Sequence, residues 1–375
     1  MNSIKIIFTL VTLGSFLGCK EQSDSTTETF YLGGDLSYVN EILDCGGTYR
    51  SNGELVDPYQ FFAEKGTNLV RLRLWHNPTW AGYSNYEDVA LAIKRSKAQG
   101  MEVLLDFHYS DTWADPQHQV IPKAWQTITT LPILSDSLYN YTYNTLNKLH
   151  RNNLLPEFVQ VGNETNIEIM QDSATMNVDT INWERNLTLI NAGLKAVNDF
   201  SMEANIDIQS MIHIAQPENA LWWFDQATKN GLADFEWIGL SYYPKWSTFG
   251  LEELSVALDS LITTYEKELM IVETAYPHTL VNVDNAHNIL GEDALIEGYA
   301  ATPNGQFRFM KKLLEETRKS GGRGVIYWEP AWVTSDCRTL WGQGSHWENA
   351  SFFDGQNGNE ALPTFDFFQL KPDIN

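Results

Sequence analysis

The run LVRLRLW at Leu69–Trp75, the amphipathic stretch at Asn85–Gln99 and the run EVLLDFH at Glu102–His108 read as strand, helix and strand. Short apolar runs that alternate with longer amphipathic stretches are the pattern of βα units. Working outward, the same reading places strands at Phe30–Ser37, Phe158–Glu164, Ile208–Ala215, Trp237–Tyr243, Leu269–Ala275 and Gly324–Trp328. Helices are expected at Ser135–Arg151, Asn182–Asp199 and Gln306–Lys319. Eight units with no internal linker predict an α/β fold, a single (β/α)8 TIM barrel spanning residues 30–375.

The polar residues sit where such a barrel would use them. Active sites in this fold lie at the carboxyl ends of the strands. Here those ends carry Arg71, Arg73 and Trp75, then Asp106 and His108, then Asn163 and Glu164. Later strands end in His213, Tyr242-Tyr243, Glu273 and Trp328-Glu329. Segments entering strands are short, as at Asn153–Glu157, whereas those leaving are long, at roughly 109–130, 276–305 and 331–363. Long βα loops at one face mark a decorated catalytic end.

Glu164 and Glu273 close the fourth and seventh strands, so they face each other from opposite walls. A facing pair of carboxyl groups, one protonated and one ionised, is what glycoside hydrolysis requires. In retaining enzymes the two lie about 5–5.5 Å apart. Asn163 before Glu164 offers an amide for a sugar hydroxyl, which assigns Glu164 as general acid/base. Glu273 is then the nucleophile, kept ionised by Arg71 and hydrogen-bonded by Tyr243.

Composition narrows the ligand. A net charge of -23 over 375 residues excludes a basic nucleic-acid footprint and disfavours polyanionic ligands. Thirteen Trp residues supply rings on which apolar sugar faces stack, although large barrels also bury aromatics. At the N-terminus, Lys5 precedes an apolar run, Ile6–Leu17, too short for an ordinary membrane span. It ends at Gly18-Cys19, which resembles a bacterial lipoprotein signal with Cys19 as the lipidated residue. The expectation is a leader over 1–18, a flexible tether over 19–29, and an exported, lipid-anchored chain on the outer membrane, facing the cell surface. Cys45 and Cys337 remain, and an export compartment permits either a disulfide or two thiols.

Several segments resemble glycoside hydrolase family 53, the arabinogalactan endo-β-1,4-galactanases. They are Leu69–Trp75, the long run LDFHYSDTWADP at Leu105–Pro116, Val161–Glu164, Ser241–Pro244, Ile271–Thr274 and Tyr327–Trp332. The resemblance covers about Phe30 to Leu370. It implies retaining hydrolysis within β-1,4-galactan, the neutral pectin side chain of type I arabinogalactan, by a monomer without an organic cofactor. It also implies sugar-contact or supporting roles for Arg71, His108, Asn163, His213 and Tyr243. Trp328 is expected as the floor under the reacting sugar and Trp347 as a platform for a more distant one. Trp113 and Trp125 read equally well as packed residues.

Bacterial members of that family often hold a calcium ion between the seventh and eighth loops, with oxygen ligands that suit it. The matching positions here are Asn282, Asp284, Asn288, Ser351 and Asp354. The pattern departs at Asn282, which stands in place of a charged ligand, and at Ala286, with His287 one place later. Within enzymes, the alternative reading is another clan member such as an endo-β-1,4-mannanase, which lacks the His108–Pro116 run. Outside enzymes, it is a surface glycan-binding lipoprotein, which would lack one glutamate or its partners.

Overall fold

A computed structural model describes residues 29–370. Cys19, the leader over 1–18 and all of the tether but Thr29 lie outside the described residues. Eight parallel strands close into a barrel: β1 (Tyr31–Asp35), β2 (Leu69–Leu74), β3 (Glu102–Phe107), β4 (Phe158–Val161), β5 (Gln209–Ala215), β6 (Trp237–Ser241), β7 (Glu268–Glu273) and β8 (Gly324–Tyr327). Each pairs with its sequence neighbour, and β8 returns to β1 through Tyr31 opposite Gly324. The expected single (β/α)8 barrel is the observed fold.

Eight helices surround it: α1 (Val39–Asp44), α2 (Pro58–Glu64), α3 (Tyr86–Ala98), α4 (Leu131–Arg151), α5 (Trp183–Ala204), α6 (Pro217–Lys229), α7 (Leu254–Tyr265) and α8 (Pro303–Lys319). Their ends follow local chemistry. Asn85 caps α3 by accepting from the Asp88 amide, with Glu87 and Asp88 in the first turn and Arg95 and Lys97 in the last. Those charges oppose the helix dipole at both ends. Helix α4 begins at Leu131, four residues before the expected Ser135, because Pro132 fits a first turn whose amides need no partner. Helix α5 runs past Asp199 to Ala204 and stops where Asn205 turns left-handed at φ 52°.

Two departures from an even βα alternation matter for the site. Both α1 and α2 follow β1, while β8 is followed by a 3-10 helix, Pro363–Gln369, that packs on α8. A small four-stranded sheet ties Arg50–Ser51 and Glu54–Leu55 to Phe353–Asp354 and Glu360–Ala361. It fastens the long last loop to the first. Cys45 and Cys337 form a disulfide across the same closure, 292 residues apart in sequence. That bond resolves the open question about the two cysteines.

Inside the barrel, side chains alternate with period two and so fall in layers. Leu69, Leu104, Phe158, Met211, Trp237, Met270, Val272 and Ile326 make an apolar plug. Two residues further along their strands stand Arg71, Asp106, Gln160 and His213, each buried. The plug excludes water from below, which leaves this polar layer to satisfy itself or to serve the loops above.

Candidate active site

Arg71 organises the polar layer. Its Nη1 lies 3.0 Å from Asp35 and 2.8 Å from Glu273 Oε1, and its Nη2 lies 2.8 Å from Asp106 and 2.7 Å from Asn163 Oδ1. Its Nε donates to Gln160 Oε1 at 3.2 Å. A planar, always-charged fork with several donors is what so many acceptors need. Three carboxylates on one guanidinium leave the site short of positive charge, so a further anion there is disfavoured.

Glu273 ends β7 and is 6% exposed, with Tyr243 donating to its Oε2 at 3.3 Å. Glu164 stands just beyond β4, partly exposed, with φ at 42°. A non-glycine residue in the left-handed region costs energy and is kept only where its surroundings impose it. Gly162, at φ 87°, starts the turn. Gln119 then donates to the carbonyls of Asn163 and Glu164, and the Asn166 amide closes on Glu164 at 2.7 Å. The Glu164 carboxyl accepts from Ser241 Oγ at 2.5 Å.

The carboxyl oxygens of Glu164 and Glu273 approach within 4.8 Å of each other, and a His213 nitrogen lies within 4.8 Å of each. Burial raises the pKa of both carboxyl groups, and the environments then separate them. Arg71 pulls Glu273 back, leaving it raised to about 7. Glu164 is pushed well above the ordinary carboxylate range by burial and then by the Glu273 charge, with Ser241 opposing. The pair shares a proton, and Glu164 is the member that holds it.

The other expected residues divide clearly. Asn163 is buried, held by Arg71 and by donating to the Ala114 carbonyl at 2.7 Å. His108 accepts from the Ala114 amide at 3.2 Å and donates to Asp106 at 2.9 Å, so it steadies Asp106 under Arg71 and not a sugar. Burial lowers its basicity, which keeps the ring neutral. His213 touches Ser241, Gln160, Asn163 and the Glu164 amide, and burial pushes it well below its usual value. Tyr243 reaches Glu273 as expected.

Trp328 is half-buried, walled by Trp113 at 5.8 Å and by Trp347 at 4.6 Å, edge to face. The expectation of an open platform at Trp347 is corrected. It is 2% exposed, and its Nε1 donates to the Trp328 carbonyl at 3.1 Å, so it braces Trp328. The ring in the last loop that does face solvent is Trp341, 45% exposed, at the tip of the Arg338–Thr339 and Gly342–Gln343 hairpin, 6.3 Å from Trp113.

The five expected calcium ligands do not converge. Asn282 Oδ1 accepts from Asn288 Nδ2 at 2.6 Å, and Asp284 accepts from Ala286, Thr334 and Ser345. Ser351 closes its own turn onto Glu348 and Phe353, while Asp354 caps Gln356. Calcium takes six to eight oxygens, and these oxygens are already engaged in different directions. These residues therefore do not fit the ion as a ligand set. The residue missed at this junction is Glu348, buried, whose Oε1 accepts from Val283 and Asn288 while its Oε2 has no partner among the described residues.

Asp35, Gln160 and Ser241 were also missed as site residues. Each is a polar side chain at an inward-facing strand position, and that alternation was the available signal.

Two facing glutamates at the mouth of a (β/α)8 barrel, one on a guanidinium and one protonated, define a glycoside hydrolase. Comparison with known proteins narrows the class. Residues 31–368 match the family described as glycosyl hydrolase family 53. The chain is similar to an arabinogalactan endo-β-1,4-galactanase of Cellvibrio japonicus, 57% identical over 91% of this chain and 90% of that one. Among solved structures it is similar to an Ignisphaera aggregans GH53 catalytic domain, with TM-score 0.81 and 31% identity over 91% of this chain and 96% of that one. A fungal β-1,4-galactanase structure gives TM-score 0.77 and 30% identity, over 91% and 99%. The chain belongs to glycosyl hydrolase family 53.

Proposed function

We infer that this enzyme is an endo-β-1,4-galactanase that cleaves galactan and its galacto-oligosaccharides with retention of configuration. The observation that carries the chemistry is the approach of the Glu164 and Glu273 carboxyls to within 4.8 Å, close to the spacing of retaining enzymes. The 57% identity to a galactanase carries the substrate. Glu273, ionised against Arg71, attacks the anomeric carbon as the glycosidic C–O bond breaks. The leaving oxygen takes its electron pair and the proton of Glu164. Glu164, now a carboxylate, then removes a proton from water, which attacks the glycosyl ester, and the ester's electron pair returns to Glu273.

Arg71 serves the departing charge as well as the arriving one, because its hold on Glu273 Oε1 recovers fully when the ester is cleaved. Trp328 forms the floor of the reacting subsite, and the exposed Trp341 provides a platform further along the chain. The acidic body, with a net charge of -23, suits a neutral glycan. The direct test measures reducing sugar released from potato-type galactan, mannan, xylan and cellulose. Release from galactan alone is expected; activity confined to another glycan would refute the substrate.

We further propose that the chain is exported and anchored to the outer membrane through Cys19, supported by the apolar run Ile6–Leu17 ending at Gly18-Cys19. Cys19→Ser should move the enzyme from the membrane fraction to the soluble one, and an unchanged distribution would refute the anchor.

A further inference from the structure

Three hydrogen bonds form a ring that begins and ends on Glu164. Its backbone amide donates to His213 Nδ1 at 3.3 Å. His213 Nε2 lies 2.9 Å from Ser241 Oγ, and Ser241 Oγ lies 2.5 Å from Glu164 Oε1. The direction of each bond follows from what the groups can do. Amide hydrogens only donate, and both the Glu164 amide and Gln160 Nε2, at 3.1 Å, point at Nδ1. Asn163 Oδ1, 3.0 Å from Nδ1, already accepts from Arg71. Nδ1 therefore carries a lone pair and the imidazole proton sits on Nε2. That proton is donated to Ser241, which leaves the Ser241 hydroxyl hydrogen only Glu164 Oε1 as acceptor.

We propose that Ser241, oriented by His213, is a positioning residue that occupies Glu164 Oε1 and so confines the acid proton to Oε2. Oε2 has no protein partner among the described residues, and Glu164 is the partly exposed member of the pair, so Oε2 is free to meet the glycosidic oxygen. A carboxyl with both oxygens free would spend half its time with the proton turned away from the leaving group. The fold provides for the serine: the β6–β7 register slips between Leu240 and Ser241, setting Ser241 opposite Glu273 and not Val272. A bulge next to an active site re-aims a side chain in this way. Ser241 and His213 are both fully buried, so water does not compete for the ring.

The proposal rests on Glu164 being the acid, and leaving groups separate the two ideas. Ser241→Ala is compared with wild type on galactan and on aryl β-1,4-galactobiosides whose phenols range from dinitrophenol to unsubstituted phenol. Galactan turnover should fall about 10- to 100-fold with KM within about twofold. The dinitrophenyl substrate, whose leaving group needs no proton, should keep a kcat/KM within about threefold of wild type. The alkaline limb for the phenyl substrate should move to higher pH, since the serine bond favours the carboxylate. An equal loss across all leaving groups, or an unmoved limb, would overturn the role of Ser241. Glu164→Ala tests the underlying reading on the same series: if it too loses equally on every phenol, Glu164 is not the acid.

Discussion

Arg71 Nη1 lies 2.8 Å from Glu273 Oε1 while Nη2 of the same guanidinium lies 2.7 Å from Asn163 Oδ1. One buried fork thus fixes Glu273 on β7 and Asn163, the residue next to Glu164, beyond β4. Lysine can supply the charge but not the two-sided geometry. Arg71→Lys should lower kcat about 10²- to 10³-fold. Its acidic limb should shift upward, because an ammonium that cannot hold both Glu273 Oε1 and Asn163 Oδ1 opposes the burial of Glu273 less well. Steady-state pH profiles on galactan check both, and an unshifted limb would contradict the electrostatic role.

Burial and the Glu273 charge raise the pKa of Glu164. Ionising it in the folded chain is therefore unfavourable. Below the ordinary carboxylate pKa of about 4.3 both folded and unfolded chains are protonated and nothing is lost. As pH rises toward the folded value, the unfolded chain ionises first, so stability falls. Glu164→Gln removes that loss. Its Tm should exceed wild type by about 1–3 °C at pH 7 and match it near pH 4, while polymer turnover collapses. Thermal melts at the two pH values read the difference.

The seventh and eighth loops are joined by hydrogen bonds from Val283 and Asn288 to Glu348 and from Thr334 and Ser345 to Asp284. Chelation by EDTA should leave Tm and activity unchanged. A fall of several degrees, reversed by calcium, would instead mean that a cation stabilises the fold, and Glu348 Oε2, without a partner among the described residues, would be the first oxygen to substitute.

Trp341 faces solvent on its hairpin, whereas Trp347 is enclosed against Trp328. Trp341→Ala should raise KM for long galactan about 5- to 20-fold, through lost ring stacking worth roughly 1–2 kcal/mol, with kcat nearly intact. Trp347→Ala should lower kcat, because Trp328, the proposed floor under the reacting sugar, loses its brace. Kinetics on polymer and on short oligosaccharides distinguish the two.

The barrel was legible because its eight apolar runs are short, evenly interleaved with amphipathic stretches, and end in polar residues. Glu164, Glu273, Arg71, Asn163 and Tyr243 were legible for the same reason: strand ends in this fold converge. The ring through His213 and Ser241 was not. Alternation could place Ser241 facing inward but not pair it with Glu164, because the register slip at Leu240–Ser241 has no sequence marker. Trp347 was misjudged because a loop position does not say which face of a ring is covered. The calcium positions were misjudged because Asn282 and Asn288 satisfy each other, as neutral amides can and two carboxylates cannot.

The central claim is that Glu273 attacks the sugar and Glu164 supplies the proton. Proton NMR of the first reducing ends released from galactan tests it most directly, recorded before mutarotation. A two-step displacement through a glycosyl ester on Glu273 predicts the β anomer first. The α anomer appearing first would mean a single displacement by water, and would contradict the account.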